Sequence, residues 1–418
     1  MTNDREPLWR SRPSAFEIAP AAPGRTLAVT DSIQLSEGNS NTYMVRTRDG
    51  RIVVNTGMGY EAPIHKAHFD AVDANPVRYI VLTQGHVDHV GGVDVFREPG
   101  TEIVAHANNP AQQAYDARLA TFRTRRAYFA WAQSIDRKTP ASGPPPVQSR
   151  PRPTILVDDH YAFTLGGLRV ELFGCAGAET VDSLIMWLPE QRICFTGNVF
   201  GALFGHFPNL VTLRGDRHRD ALAYVGALDL LLGLDAEMLL VGHFGPVVGR
   251  DVIRAEIQRM KGAVLHVHDA VVDAMNAGGD VHAVMRDVAL PPALAVGEGY
   301  GKVSWSARAV WETYQGWFHG RSTTELYPVP ASAAYPTLVT LAGGPDKVAA
   351  AAAAKVTDAP VEALHLAEAA LAVDPRHRRA LEASHAAHRR LLAESTNFWE
   401  TRWLEHEIRR LEASLATA

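Results

Sequence analysis

Thr83-Gln84-Gly85-His86-Val87-Asp88-His89-Val90-Gly91-Gly92 follows the apolar run Tyr79-Ile80-Val81-Leu82 and leads into Val93-Asp94-Val95-Phe96. A buried strand that ends there delivers an imidazole, a carboxylate and a second imidazole within four residues. These side chains are the usual ligands of divalent transition metals. The paired glycines let the backbone pass close beneath such a site and turn into a helix. A lone histidine at a strand end is ordinarily a surface or core residue. His86, Asp88 and His89 together read as part of a metal site whose other ligands lie elsewhere in the chain.

Before this stretch, Thr42-Tyr43-Met44-Val45-Arg46 and Ile52-Val53-Val54-Asn55-Thr56-Gly57 flank the turn Arg48-Asp49-Gly50 and read as strands. Residues 1–25 are proline-rich and aperiodic, an extended arm. A helix is predicted over 62–74, a strand over 79–83, a strand over Glu102-Ile103-Val104-Ala105-His106 and a helix over 111–135. The Pro/Ser-rich segment 139–153 reads as a loop draped over the site. Strands follow at 161–165, 169–173, 184–188 and 192–195, then a helix over 217–233, a strand over 237–241 and a helix over 251–277. Two batches of strands, each with helices, suit two sheets packed face to face with helices outside, a four-layer αββα arrangement.

From about residue 283 only helical patterns remain. Residues 360–394 carry Ala363, Ala367, Ala370 and Leu371 before Asp374-Pro375, then Ala380, Leu381 and Leu391, the small-residue pattern of one tetratricopeptide-like (TPR-like) helix pair. Such a pair needs a surface to pack on, either the first domain or a second subunit. The expected division is 1–25 arm, 26–282 α/β domain and 283–418 all-α domain.

The 418 residues exceed one compact core, and 46% hydrophobic with 21% charged residues is the composition of a globular chain. A net charge of −5 without a dense basic stripe argues against a nucleic-acid partner. No run of about 18 apolar residues predicts a membrane span, and the charged N-terminus lacks the apolar core of a signal peptide. With only Cys175 and Cys194, a reducing, cytoplasmic setting is the simpler expectation, although one pair leaves a disulfide open.

Four further strand ends offer ligands. Gly174 to Ser183 is a Gly-rich loop carrying Glu179 and Asp182, Phe195-Thr196-Gly197-Asn198 is another turn, Val241-Gly242-His243 ends a strand, and His106 ends its own. Singly, each is more often a solvated loop residue than a ligand. Together with His86, Asp88 and His89 they form a pattern.

That succession of motifs resembles the metallo-β-lactamase fold superfamily, and more narrowly its alkyl sulfatase branch. The narrower likeness rests on Glu179, on Asn209-Leu210-Val211-Thr212-Leu213-Arg214-Gly215, and on Gly299-Tyr300-Gly301-Lys302-Val303-Ser304-Trp305. Trp311, Tyr314, Gly316-Trp317-Phe318 and Asn397-Phe398-Trp399 resemble that branch's dimerisation domain, which implies a homodimer. The branch's sterol-carrier-like domain is expected to be lacking. The resemblance implies zinc, one or two ions: a first held at positions 84, 86 and 179, a second by Asp88, His89 and His243. A bridging carboxylate would fall at Asn198 or Gly197. Gln84 and Asn198 depart from the pattern, and Asp182 is a possible substitute ligand. A neutral carboxamide binds zinc more weakly than imidazole or carboxylate, so occupancy is expected to favour the Asp88/His89/His243 site.

The expected activity is hydrolysis of an alkyl sulfate ester by a metal-bound hydroxide, with Asp88 orienting the water and His206 protonating the leaving group. Arg214 and Tyr300 are candidate substrate-binding residues. The alternatives are a surface salt bridge for Arg214 and helix packing for Tyr300. Phe200, Phe204 and Phe207 either line an alkyl pocket or belong to the core. Two other readings stay open: a carboxylic ester, lactone or phosphoester substrate on the same fold, or a degenerate ligand-binding dimer.

Overall fold

The computed structural model describes residues 6–24, 26–138 and 148–418. The chain divides into two compact units, 1–313 and 314–418. In the first unit, β1 (Leu27–Ala28), β2 (Ile33–Ser36), β3 (Thr42–Thr47), β4 (Gly50–Val54), β5 (Val77–Val81), β6 (Glu102–His106) and β7 (Ile155–Val157) form one sheet in chain order. Its β4 to β7 half is parallel. The second sheet runs β13-β12-β11-β10-β9-β8, built from β8 (His160–Leu165), β9 (Leu168–Gly174), β10 (Leu184–Leu188), β11 (Ile193–Gly197), β12 (Met238–Val241) and β13 (Val247–Val248).

Period-two alternation makes the layers. Ile52, Val54 and Val81 join Leu184, Met186 and Phe195 in the core between the sheets. Their neighbours Val53 and Ile80 point the other way, onto Phe69 of helix α1 (Ala62–Asp70) and the nearby Phe96. Ile185 and Trp187 likewise face away from the first sheet, onto the helices of residues 221–234 and 250–276. Strands with both faces covered read as continuous apolar runs, which is why β4, β10 and β11 are buried along their whole length. The expected four-layer αββα sandwich is the observed fold.

The remaining helices of this unit are α2 (Val87–Val90), α3 (Val93–Phe96), α4 (Asn109–Arg118), α5 (Ala120–Lys138), α6 (Ala221–Leu234), α7 (Arg250–Asn276), α8 (Val281–Asp287) and α9 (Val303–Gln315), whose end crosses the unit boundary. The single helix expected over 111–135 is therefore two, α4 and α5, with a further kink at Trp131 (φ −123°, ψ 29°). The helix expected from 217 starts at Ala221, because the Asp220 carboxylate accepts from Leu222 N and Ala223 N, both at 2.8 Å, and caps it there. The N-terminal arm is tied down rather than loose. Leu8 N donates to Glu256, Arg12 donates to Gly245 O at 2.7 Å, and Ala21 N donates to the buried Glu61 at 2.8 Å.

The second unit is all helical: α10 (Tyr335–Leu341), α11 (Pro345–Lys355), α12 (Pro360–Val373), α13 (Arg378–Leu392) and α14 (Phe398–Leu415). Ala349, Ala352, Ala367, Ala370, Ala380 and Ala383 are buried between these helices, and small side chains let the backbones approach closely. The α12–α13 pair thus finds its packing surface inside its own unit, on α11 and α14. Among the described residues, no helix is long and apolar enough to cross a membrane. Cys175 and Cys194 are free thiols, both buried.

Candidate metal centre and cavity

The loop after β5 is fixed before any side chain acts. Asn55, held at φ 58°, accepts from both Thr83 N (3.0 Å) and the Thr83 hydroxyl (3.1 Å). Thr56 N and its hydroxyl donate to His89 O at 2.8 and 3.0 Å, and Ser40 Oγ donates to Asp88 O. His86 is the N-cap residue of the short α2, so Asp88 and His89 fall in one turn. From the second sheet, Gly242 N donates to Gly197 O at 2.8 Å, which sets His243 beside Asn198.

Asp88, His89 and His243 offer donor atoms that all lie within 4.8 Å of one another. That spread is close to what metal bonds of about 2.0–2.2 Å allow. Both ring nitrogens of the fully buried His89 lack a hydrogen-bond partner. An orphaned buried polar group costs about 1–3 kcal/mol, so a bound cation there relieves a standing penalty. Burial lowers the His89 pKa to about 4, only partly offset by Asp88, and burial lowers His243 also. Both rings are neutral and have lone pairs to give. Burial alone would raise the Asp88 carboxyl, but His89, His243 and His86 outweigh it and hold it below its ordinary value. One carboxylate and two neutral imidazoles fit a divalent transition metal.

The neighbouring positions are arranged differently. The Gln84 amide stands 3.0 Å from His86 Nδ1, and Arg214 Nη2 stands 3.4 Å from His86 Nε2. Glu179 Oε1 accepts from Arg219 Nη2 at 2.8 Å, with both side chains buried. Burial raises the Glu179 pKa despite Arg219. The Asn198 amide faces His243 Nε2 at 3.2 Å. Gly242 makes room for that amide, since a Cβ there would lie 1.8 Å from Asn198 Oδ1. Gly242→Ala is therefore expected to lose about 1–3 kcal/mol of stability, and adding Asn198→Ala should recover part of it. Urea denaturation of the single and double variants checks this; a Gly242→Ala protein as stable as wild type would show that the neighbours give way freely.

Asp216 and three arginines complete the polar rim, and only Arg214 among them was anticipated from sequence. Arg123 Nη2 donates to Asp216 Oδ1 at 2.6 Å and its other nitrogen contacts Asp116. Arg214 and His86 approach Asp216 at 3.6 and 3.7 Å. Burial would raise the Asp216 carboxyl, but His86 and the arginines hold it far below the usual carboxylate range.

These groups open on a cavity of about 410 Å³, within the range of small-molecule sites. Ala117, Ala120, Ala127, Trp131 and Ile135 of α4 and α5 supply its apolar lining, beside Gln113, Asp116, Arg123, Thr124 and Ser134 of the same two helices. Gln148, Ser149 and Arg150 line it as well; the rest of the anticipated covering loop, 139–147, lies outside the described residues. Tyr300 reaches the cavity, and burial pushes its hydroxyl well above the ordinary range.

Several anticipated residues stand elsewhere. His206 does not line the cavity: its Nδ1 accepts from Gly299 N at 2.9 Å and its ring packs edge-on against Trp9, so it is a tether between loops and not a proton donor to a substrate. Asp182 accepts from the Thr180 hydroxyl (2.6 Å) and from Asn109 (2.8 Å), and it is not among the clustered donors. His106 Nδ1 accepts from Asn108 N at 3.0 Å, away from the cluster. Phe200, Phe204 and Phe207 are core, packed in the cluster around α6 and α7.

Comparison with known proteins agrees with this fold. A linear primary-alkylsulfatase from a Pseudomonas species is 28% identical over 330 residues, covering 74% of this chain and 62% of that protein. An alkyl/aryl-sulfatase of Saccharomyces cerevisiae is 22% identical, covering 78% of this chain and 54% of that one. The chain thus spans roughly half to three fifths of the length of these relatives. The solved structure of a stereoselective inverting sec-alkylsulfatase from a Pseudomonas species superposes with a TM-score of 0.80 at 20% identity, over 93% of this chain and 65% of that one, which supports the fold. The alkyl sulfatase dimerisation family matches residues 280–411, and the metallo-beta-lactamase superfamily matches residues 35–243, half of the chain. With its αββα sandwich and its Asp88/His89/His243 cluster at the strand ends, the chain belongs to the metallo-beta-lactamase superfamily and carries an alkyl sulfatase dimerisation domain after it.

Proposed function

We propose that the protein is a metal-dependent hydrolase of alkyl sulfate esters. The observation that carries this reading is one cavity lined by two chemically distinct sets of groups. Asp88 and His243 of the metal cluster and the guanidinium groups of Arg214 and Arg219 form one set, and the apolar side chains of α4 and α5 form the other. An anionic head and an alkyl tail match that division, and the curated relatives named above are alkylsulfatases.

In this reading Asp88, His89 and His243 hold zinc, for which two imidazoles and a carboxylate are suitable donors. When bound, such an ion supplies Lewis acidity toward water or a sulfate oxygen. The chain's own residues do the rest. Arg214, braced by Asp216, grips sulfate oxygens with charge-assisted hydrogen bonds. Tyr300, kept as a neutral phenol, offers a hydrogen bond from the lining of the same cavity. Trp131 and the α5 face exclude water from the alkyl chain. We further infer that two copies pair through the helical part, where Trp317, Tyr327 and Leu341 are 73%, 63% and 79% exposed. The free thiols of Cys175 and Cys194 support a reducing, cytoplasmic setting.

The test is release of inorganic sulfate from dodecyl sulfate, beside matched phosphate esters, carboxylic esters and lactones. Sulfate release that chelation stops and zinc restores is the expected result. Turnover of a lactone or carboxylic ester with sulfate esters untouched would assign another bond to the same fold. Binding of dodecyl sulfate without turnover of any ester would make the protein a ligand-binding dimer.

A further inference from the structure

We propose that this chain holds one metal ion, on Asp88, His89 and His243, and that the adjoining half of the centre is a protein-built hydrogen-bond network that takes no metal. The inference rests on the metal-dependent hydrolase reading above and assigns His86, Gln84, Glu179 and Asn198 a role other than ligation.

Four observations carry it. His86 has protein partners at both ring nitrogens, the Gln84 amide at 3.0 Å and the Arg214 guanidinium at 3.4 Å. Asp216 Oδ2 also lies 3.7 Å from the Nε2 that Arg214 faces, so both ring nitrogens of His86 face protein groups. A ring engaged at both ends has no lone pair to spare, whereas neither nitrogen of the buried His89 has a hydrogen-bond partner, Nε2 lying 3.5 Å from Asp88 Oδ2. Glu179 already has a cation, since Arg219 sits on its Oε1 at 2.8 Å. The amides of Gln84 and Asn198 bring no charge. Two divalent ions a few Å apart would carry four positive charges, while of the nearby carboxylates Glu179 is paired with Arg219 and Asp216 with Arg123 and Arg214, which leaves Asp88. Like charges at that separation repel strongly in a buried site. Arg219 and Arg214 instead place permanent positive charge beside the single ion, and His86 serves as a positioning residue that steadies Arg214.

The test is a calorimetric titration of the chelator-stripped full chain with Zn²⁺, together with metal content after desalting. One equivalent per chain is expected, lost in Asp88→Ala. His86→Ala should keep that equivalent, with its dissociation constant changed by less than about threefold. The double variant Gln84→His, Asn198→Glu should take up a second equivalent. Two equivalents of similar affinity on the wild-type chain, or loss of the equivalent in His86→Ala, overturns the inference and leaves the hydrolase reading standing. A wild-type chain that takes up no zinc at all sinks both.

Discussion

His243→Ala is expected to purify without metal and to release sulfate from dodecyl sulfate at least about 10³-fold more slowly than wild type. The size follows from the part a metal plays in such reactions: several kcal/mol of transition-state stabilisation, of which a factor of 10³ is about 4 kcal/mol. His243 is the one donor the second sheet contributes to the cluster. Removing it leaves Asp88 and His89, and two donors from one turn of α2 do not fix an ion against water. The fold should survive, because His243 lies at a strand end whose position is set by backbone bonds, Gly242 N to Gly197 O at 2.8 Å and Asn41 N to Gly242 O at 2.7 Å. Metal content, sulfate release and the circular dichroism spectrum are measured together. His106→Ala is the control, a strand-end histidine outside the cluster. Retention of metal by folded His243→Ala would remove this residue from the ligand set.

Why some of the site could be read from the sequence follows from how close its parts lie along the chain. His86, Asp88 and His89 are legible because they share one turn behind a buried strand. Gly242-His243 is legible only together with that turn, since a histidine at a strand end is singly more often a solvated loop residue. The sandwich was legible for a similar reason: runs such as Ile52-Val53-Val54 and Leu184-Ile185-Met186 demand cover on both faces, and two sheets with helices outside supply it. The partners of Glu179 and Arg123 were not legible. Arg219 is 40 residues from Glu179 and Asp216 is 93 from Arg123, and ion pairs at that separation have no local spacing.

The alkyl wall shows a different limit. Phe200, Phe204 and Phe207 look like a pocket because they are large and apolar, yet they fill the core against α6 and α7. The apolar lining of the cavity comes instead from Ala117, Ala120, Ala127, Trp131 and Ile135. Composition does not tell which face a helix turns to a cavity and which to a neighbour. His206 failed for the converse reason. A histidine beside glycines reads as a reactive loop residue, but its lone pair is spent on Gly299 N.

Arg214→Ala is expected to lower kcat/KM for dodecyl sulfate by about 10²-fold, while shifting the unfolding midpoint little. Two effects compete for this residue, and their magnitudes separate them. As a salt bridge it is weak: the Arg214–Asp216 distance is 3.6 Å, the arginine side chain is 21% exposed, and Asp216 keeps the closer Arg123 at 2.6 Å. Such a pair contributes about 0–1 kcal/mol. As a grip on sulfate it is strong, because charge-assisted hydrogen bonds contribute about 1.5–3 kcal/mol each, and 10²-fold corresponds to about 2.7 kcal/mol. Arg214→Lys should recover only part of the loss, since an ammonium keeps the charge but not the planar fork that meets two oxygens at once. Asp88, His89 and His243 are unaltered in both variants, so the metal content should stay at the wild-type value. Steady-state kinetics on dodecyl sulfate, with thermal unfolding and metal content on the same preparations, resolves the two. A falling midpoint with unchanged kcat/KM would return Arg214 to the surface salt bridge, and the sulfate would then have to be held by Arg219 and Tyr300, which line the same cavity.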